Sequence, residues 1–232
     1  MNTLHEILVG VPAVGTVVDQ PRITPIRDHV PTARARATSV YDGQIQALIQ
    51  QLFFRRDSQP VRHVGFVPVD ASTDTAKLCL QVATALADED RYDIGLFDAD
   101  PDSLPLQTQL QIPVPTRADV AWTLGPRLWM VPRASWLPDK SGQRVTTQNL
   151  SRLEELTDEF DFSILCCAPA SWLTASIGQT CDGLVLVLTA NKTRRIVASQ
   201  VSDQLNQAQV PLLGTVLADR RFPVPQGLYR SL

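Results

Sequence analysis

Apolar residues along the chain alternate between two periods, and that alternation sets the expected fold. Over residues 41–56, Ile45, Leu48, Ile49, Leu52 and Phe53 recur at spacings of three and four, which marks one apolar face of a helix. Gln44, Gln46, Gln50 and Gln51 surround that face, and Ser58-Gln59-Pro60 ends it. Residues 64–69 are then an apolar run of strand length, and 75–87 predict a helix with Leu78, Val82, Ala85 and Leu86 in phase. Further strands are expected at 92–97, 128–131, 162–167, 183–188 and 212–217. Helices are expected at 147–160, with Leu150, Leu153 and Leu156 in phase, and at 193–208. Strands that are apolar throughout suit a parallel sheet buried on both faces. The fold class is therefore α/β: a doubly wound, mostly parallel sheet with helices on both faces.

The first forty residues break the pattern. Pro12, Pro21, Pro25 and Pro31 fall among scattered charges with no sustained period, so residues 1–40 read as an extended arm. Ile7-Leu8-Val9 is too short to assign as a strand. Residues 41–232 read as one domain, without internal repeats or low-complexity tracts.

Composition narrows the function classes. Of 232 residues, 44% are hydrophobic and 19% charged, enough for a sizeable core. Lysine and arginine total 21 against 24 acidic residues, a net charge of −3, so there is no basic excess for a phosphate backbone. No run approaches the ~18–20 apolar residues of a membrane span. Residues 1–12 carry Glu6 and lack a basic start before a long apolar run, so they are not a secretion signal, and a cytosolic protein is expected.

Most candidate chemistry is weak. Cys79, Cys166, Cys167 and Cys181 show no C-x-x-C spacing or interleaved histidines, so they read as small hydrophobes rather than zinc ligands or disulfides. His5, His29 and His63 lack ligand spacing and read as surface or strand-edge residues. Ser163, Ser171 and Ser176 sit in no G-x-S-x-G elbow. Cys166 and Cys167 have no nearby histidine to activate a nucleophile. Trp122 and Trp129 read as packing residues; Trp136 and Trp172 follow strands and are candidates to rim a cleft. Arg194-Arg195 and Arg220-Arg221 read as solvated pairs near strand ends that could meet an acidic partner.

In a doubly wound sheet, ligands bind beyond the carboxyl ends of the strands. Here those ends read Asp70-Ala71-Ser72-Thr73-Asp74-Thr75-Ala76-Lys77, then Asp98-x-Asp100, Cys166-Cys167-Ala168-Pro169 and Ala218-Asp219-Arg220-Arg221. Asp182-Gly183-Leu184-Val185-Leu186-Val187-Leu188 with Lys192-Thr193-Arg194-Arg195 resembles a "DGVLLVV…TRR" segment. Val210-Pro211-Leu212-Leu213-Gly214-Thr215-Val216-Leu217 resembles "VPLLGVVLN". Phe222-Pro223-Val224-Pro225 before Leu228-Tyr229-Arg230 resembles "FPIP…LYRRL", and Phe160-Asp161-Phe162 resembles "FDY". Taken in order, these motifs resemble the bacterial tyrosine kinases of capsule and exopolysaccharide synthesis, relatives of the Min/Par-type P-loop ATPases. The resemblance covers about residues 41–232.

The departures fall on the chemistry. The family's phosphate loop uses glycines for backbone approach to phosphate, a lysine for charge and a hydroxyl for Mg²⁺. Counted back from Gln81-Val82-Ala83, which resembles its "NLA", the glycine positions hold Ser72 and Asp74. The lysine position holds Thr75 and the hydroxyl position Ala76. Lys77 comes two residues late, about 200° around the helix. Asp98 and Asp100 match the next motif, whose first aspartate handles water or Mg²⁺ in the family; its following arginine is replaced by Pro101-Asp102-Ser103. The same two aspartates also suit a solvated strand-end turn. Cys166 stands in place of the next metal-directing aspartate, and a thiol is a poor ligand for a hard cation. Ala218 replaces the asparagine that reads adenine, and Tyr229 alone stands where the kinases carry a tyrosine cluster. The glutamine-rich first helix lacks the E-x-x-R-x-x-R pattern of the family's ring, which leaves self-association open.

The resemblance thus implies a degenerate, non-catalytic pseudokinase or pseudo-ATPase. It would be a cytosolic binding or regulatory partner of a membrane polysaccharide co-polymerase or export protein, or of an active kinase homologue, recruited to the inner face of the membrane by that partner. No cofactor, no nucleic acid and no metal are expected. The alternative is an active ATPase or protein-tyrosine kinase with a rearranged loop, using ATP and Mg²⁺ through Asp98 and Asp100 with Lys77 or a residue from another chain.

Overall fold

The computed structural model describes residues 40–54, 60–70, 73–115, 120–137 and 145–218. The amino-terminal arm, the Arg220-Arg221 pair, the Phe222–Arg230 motif and Ser72 lie outside them.

Seven strands form one sheet: β1 (His63–Pro68), β2 (Ile94–Ala99), β3 (Trp122–Gly125), β4 (Leu128–Val131), β5 (Phe162–Cys167), β6 (Gly183–Thr189) and β7 (Leu212–Ala218). Their spatial order is β3-β4-β2-β5-β1-β6-β7, parallel except for the antiparallel edge pair β3–β4. Helices are α1 (Val40–Leu52), α2 (Thr75–Ala87), α3 (Leu106–Gln109), α4 (Thr147–Asp158), α5 (Trp172–Gln179) and α6 (Arg195–Gln207).

Alternate residues of each central strand serve opposite cores. Val64 and Phe66 of β1 pack with Ile49 of α1, with Phe53 just after it, and with Val82 and Leu86 of α2. Val67 joins Leu156 of α4, Ile177 of α5 and Leu205 of α6 on the other face. Burial on both faces is why these strands are apolar throughout.

The sequence reading misses α3, β3 and α5. The first two are four residues long and, unlike β4, are not apolar throughout, and α5 buries only Leu173 and Ile177 as large apolar residues over eight residues. The second strand begins at Ile94 rather than Tyr92 and runs through Asp98 to Ala99, because Asp98 and Ala99 pair with Cys166 and Cys167 of β5.

His63 corrects the sequence reading. It opens β1, an interior strand paired on both sides by β5 and β6, and at 8% exposed it is neither a surface nor an edge residue. Its backbone N–H donates to the Asp182 carboxylate at 2.8 Å, and its Nε2 lies 3.7 Å from Asp158 Oδ1. Nδ1 is buried and has no partner among the described residues. Burial lowers its pKa below the usual 6.5; Asp182 opposes this, Arg62 adds to it and Asp158 opposes it. The unfolded chain therefore binds the proton more readily. Stability from this group is complete above about pH 6.5 and is lost as pH falls from there through the folded-state pKa. Urea midpoints should drop between pH 7.5 and 5, and the drop should be smaller in His63→Asn. An unchanged pH dependence in that variant would refute the assignment.

Candidate functional site at the carboxyl ends of the strands

After β1 the chain turns through Val69 and Asp70 into α2. Thr73 Oγ1 lies 3.0 Å from Thr189 Oγ1 of β6, and Thr193 Oγ1 donates to Asp70 Oδ2 at 3.1 Å. The Thr189 N–H donates to Thr193 Oγ1 at 3.0 Å. These side chains tie the β1–α2 turn to the β6–α6 turn.

Asp74 is the N-cap of α2, and its carboxylate accepts from the Lys77 N–H at 3.3 Å. A helix N-terminus concentrates unpaired amide donors and partial positive charge, which favours an anion. Here the anion is the protein's own side chain. Thr75 and Ala76 are buried, 4% and 3% exposed, with Ala76 in the core, and Thr75 Oγ1 has no partner among the described residues. Lys77 is exposed on the helix.

The end of β2 is equally self-contained. Asp98, 1% exposed, accepts from the Leu106 N–H at 2.9 Å and the Asp100 N–H at 3.3 Å, so its carboxylate caps α3. Burial raises its pKa, against the pull of those two amides and of Arg133. Asp100 Oδ1 accepts from the N–H groups of Asp102 (3.0 Å) and Ser103 (3.2 Å), closing its own loop. Arg133 was not found from the sequence. Its Nη1 donates to the carbonyls of Asp100, Pro101 and Ser103 at 2.8–3.1 Å. No motif signals it, because carbonyl acceptors carry no residue identity.

Trp136 also departs from expectation. It rims no cleft: it is 2% exposed, and its Nε1–H donates to the Asp98 carbonyl at 3.0 Å. Trp172 is 61% exposed at the start of α5. Cys166, 6% exposed, pairs in register with Phe66 and Asp98. Burial, with a smaller contribution from the neighbouring Cys166, holds the thiol of the fully buried Cys79 of α2 well above its usual pKa.

Among the described residues no group of three or more His, Cys, Asp or Glu is placed to hold a metal ion. A shallow cavity of about 400 Å³ opens beside β6, lined by Leu188, Asn191, Arg195 and Leu217 among others. Mg·ATP does not fit the described residues at this end: Asp74 puts a carboxylate on the helix N-terminus, Thr75 and Ala76 of the first turn are buried, and the adjoining β5 offers the buried thiol of Cys166.

No protein-family model matches the chain, and no curated protein matches its sequence. Among solved structures, the chimerical protein CapA2B2 aligns over 79% of this chain and 86% of its own, at 14% identity and TM-score 0.65. The kinase domain of Escherichia coli tyrosine kinase ETK aligns over 79% of each chain, at 15% identity and TM-score 0.55. A ParA-family ATPase from Chlorobium tepidum aligns over 73% of this chain and 79% of its own, at 14% identity and TM-score 0.53. At such identities the likeness is one of architecture: this chain has the P-loop NTPase-like fold seen in bacterial tyrosine kinase domains and ParA-family ATPases.

Proposed function

We propose that the protein is a non-catalytic relative of the polysaccharide-synthesis tyrosine kinases. It acts on the cytoplasmic side as a binding or regulatory partner in exopolysaccharide or capsule export, engaging a membrane co-polymerase or export protein or an active kinase. The observation that carries this reading is the Asp74 carboxylate on the N-terminus of α2. A phosphate brought within ~4 Å of it meets a repulsion of about 4 kcal/mol at an effective dielectric of ~20, nearly three decades of affinity. Thr75 supplies no compensating cation. Among the described residues no helix is long and apolar enough to cross a membrane, so attachment there would come through the partner.

Isothermal titration of the full chain with Mg·ATP and Mg·ADP is expected to give no saturable heat up to about 1 mM ligand. Saturable binding accompanied by turnover would overturn the proposal. The competing reading, catalysis through Asp98 and Asp100 with Lys77, is less favoured because both carboxylates already accept backbone amides. It requires an activity that Asp98→Asn abolishes while the fold persists.

A further inference from the structure

Among the described residues β7 is an edge strand, paired only with β6. Its seven residues, Leu212-Leu213-Gly214-Thr215-Val216-Leu217-Ala218, include no charge and no proline, the devices that usually guard an edge. None of them is buried, whereas β1, β2 and β5 are buried throughout. Leu217 is 49% exposed, and a Cβ at Gly214 would meet nothing within 4 Å among the described residues.

The backbone groups of this edge can be placed. The Ala190 N–H donates to the Ala218 carbonyl at 2.9 Å, so Ala218 turns toward β6. The register shift in this strand pair falls before Gly214, and the alternation is unbroken from there to Ala218. Gly214 and Val216 therefore also bond to β6, while the N–H and C=O of Thr215 and Leu217 point outward. The chain that follows carries the complementary pattern. In Phe222-Pro223-Val224-Pro225 the prolines stand two residues apart. In extended backbone such residues share one side, so Phe222 and Val224 offer their donors to a neighbouring strand while both prolines face away from it. That outward side is where a sheet tolerates proline.

We propose that residues 222–225 pair antiparallel with the open edge of β7 in the same molecule, as a strap that completes the sheet. Phe222 lies opposite Leu217 and Val224 opposite Thr215, each pair exchanging both backbone hydrogen bonds. Residues 218–221 make the connection, four residues long, a common length for a hairpin. Directly opposed side chains share a face, so Phe222 covers the exposed Leu217, and Pro225 falls opposite Gly214, where space is open. The new outer edge presents two residues without an N–H, which closes it to further strands. Connectivity selects this occupant: so short a link holds the segment beside the edge at a concentration that a separate molecule does not match. Antiparallel pairing leads the chain back toward the amino end of β7, so Tyr229 is carried away from the carboxyl-end site rather than across it. The inference does not rest on the function proposed above.

Hydrogen exchange on the full chain, read residue by residue by NMR, tests the strap. In wild type the amides of Thr215, Leu217, Phe222 and Val224 should exchange at least about tenfold more slowly than in an unstructured peptide. Val224→Pro removes an inward donor and should bring Thr215 and Leu217 to within about threefold of the unstructured rate, with Gly214 and Val216 still protected by β6. Replacing both outward prolines, Pro223→Ala with Pro225→Ala, should keep Thr215 and Leu217 protected. Unprotected Thr215 and Leu217 amides in wild type would overturn the proposal, as would protection that survives Val224→Pro or is lost in the double-alanine chain. Protection that grows with protein concentration would give the edge to a second copy and overturn it equally.

Discussion

Trp136→Ala is expected to remove about 3–5 kcal/mol of stability, the largest loss from any single replacement near the site. Two effects combine. Truncating a side chain only 2% exposed leaves a cavity in the core beside Phe97, Val131 and Leu153. It also strips the Asp98 carbonyl of its indole partner, next to the Trp136 carbonyl that Asn149 Nδ2 holds at the start of α4. Trp136→Phe keeps most of the volume and loses the hydrogen bond, so about 1–2 kcal/mol is expected. Urea midpoints at unchanged m-value measure both. A loss below about 1 kcal/mol for Trp136→Ala would mean the indole is not packed as described.

Asp98→Ala should cost about 2–4 kcal/mol, because the buried Leu106 N–H and the part-buried Asp100 N–H lose their acceptor together. Asp98→Asn retains one acceptor oxygen and should cost about half as much. This ordering separates a structural carboxylate from one held ready for chemistry. A catalytic aspartate is often replaced with little loss of stability; a helix-capping one buried to this degree is not. Equal stability of wild type and Asp98→Ala would remove the structural role assigned to the end of β2.

The parts of the fold that could be read from sequence are those whose residues repeat a physical constraint. β1, β5 and β6 are buried on both faces, so all but His63, Ser163 and Thr189 of their positions are apolar or glycine and the runs announce themselves. α2 shows its phase because one side packs on the sheet and the other meets solvent. The antiparallel strand β3 escaped because Thr123 and Gly125 interrupt its four residues, whereas the equally short β4 is apolar throughout. The candidate site divides in the same way. The acid at the start of α2 was legible, since Asp74 is both a strong N-cap residue and a charge in the wrong place for phosphate. The tasks of Asp98 and Arg133 were not, because their partners are backbone amides and carbonyls from Leu106, Asp100 and Ser103, which any sequence would provide. Trp136 was misplaced for a related reason: following a strand puts a residue near the carboxyl end, but whether its ring turns inward depends on packing from α4 and β4. His63 was misplaced because its strand is an interior one, covered on both sides by β5 and β6.

Crystals grown with Mg·ADP bear most directly on the emptied phosphate site. The first turn of α2 should hold no diphosphate, with the Asp74 carboxylate still on the Lys77 amide; a β-phosphate within hydrogen-bonding distance of the amides of residues 74–77 would contradict it.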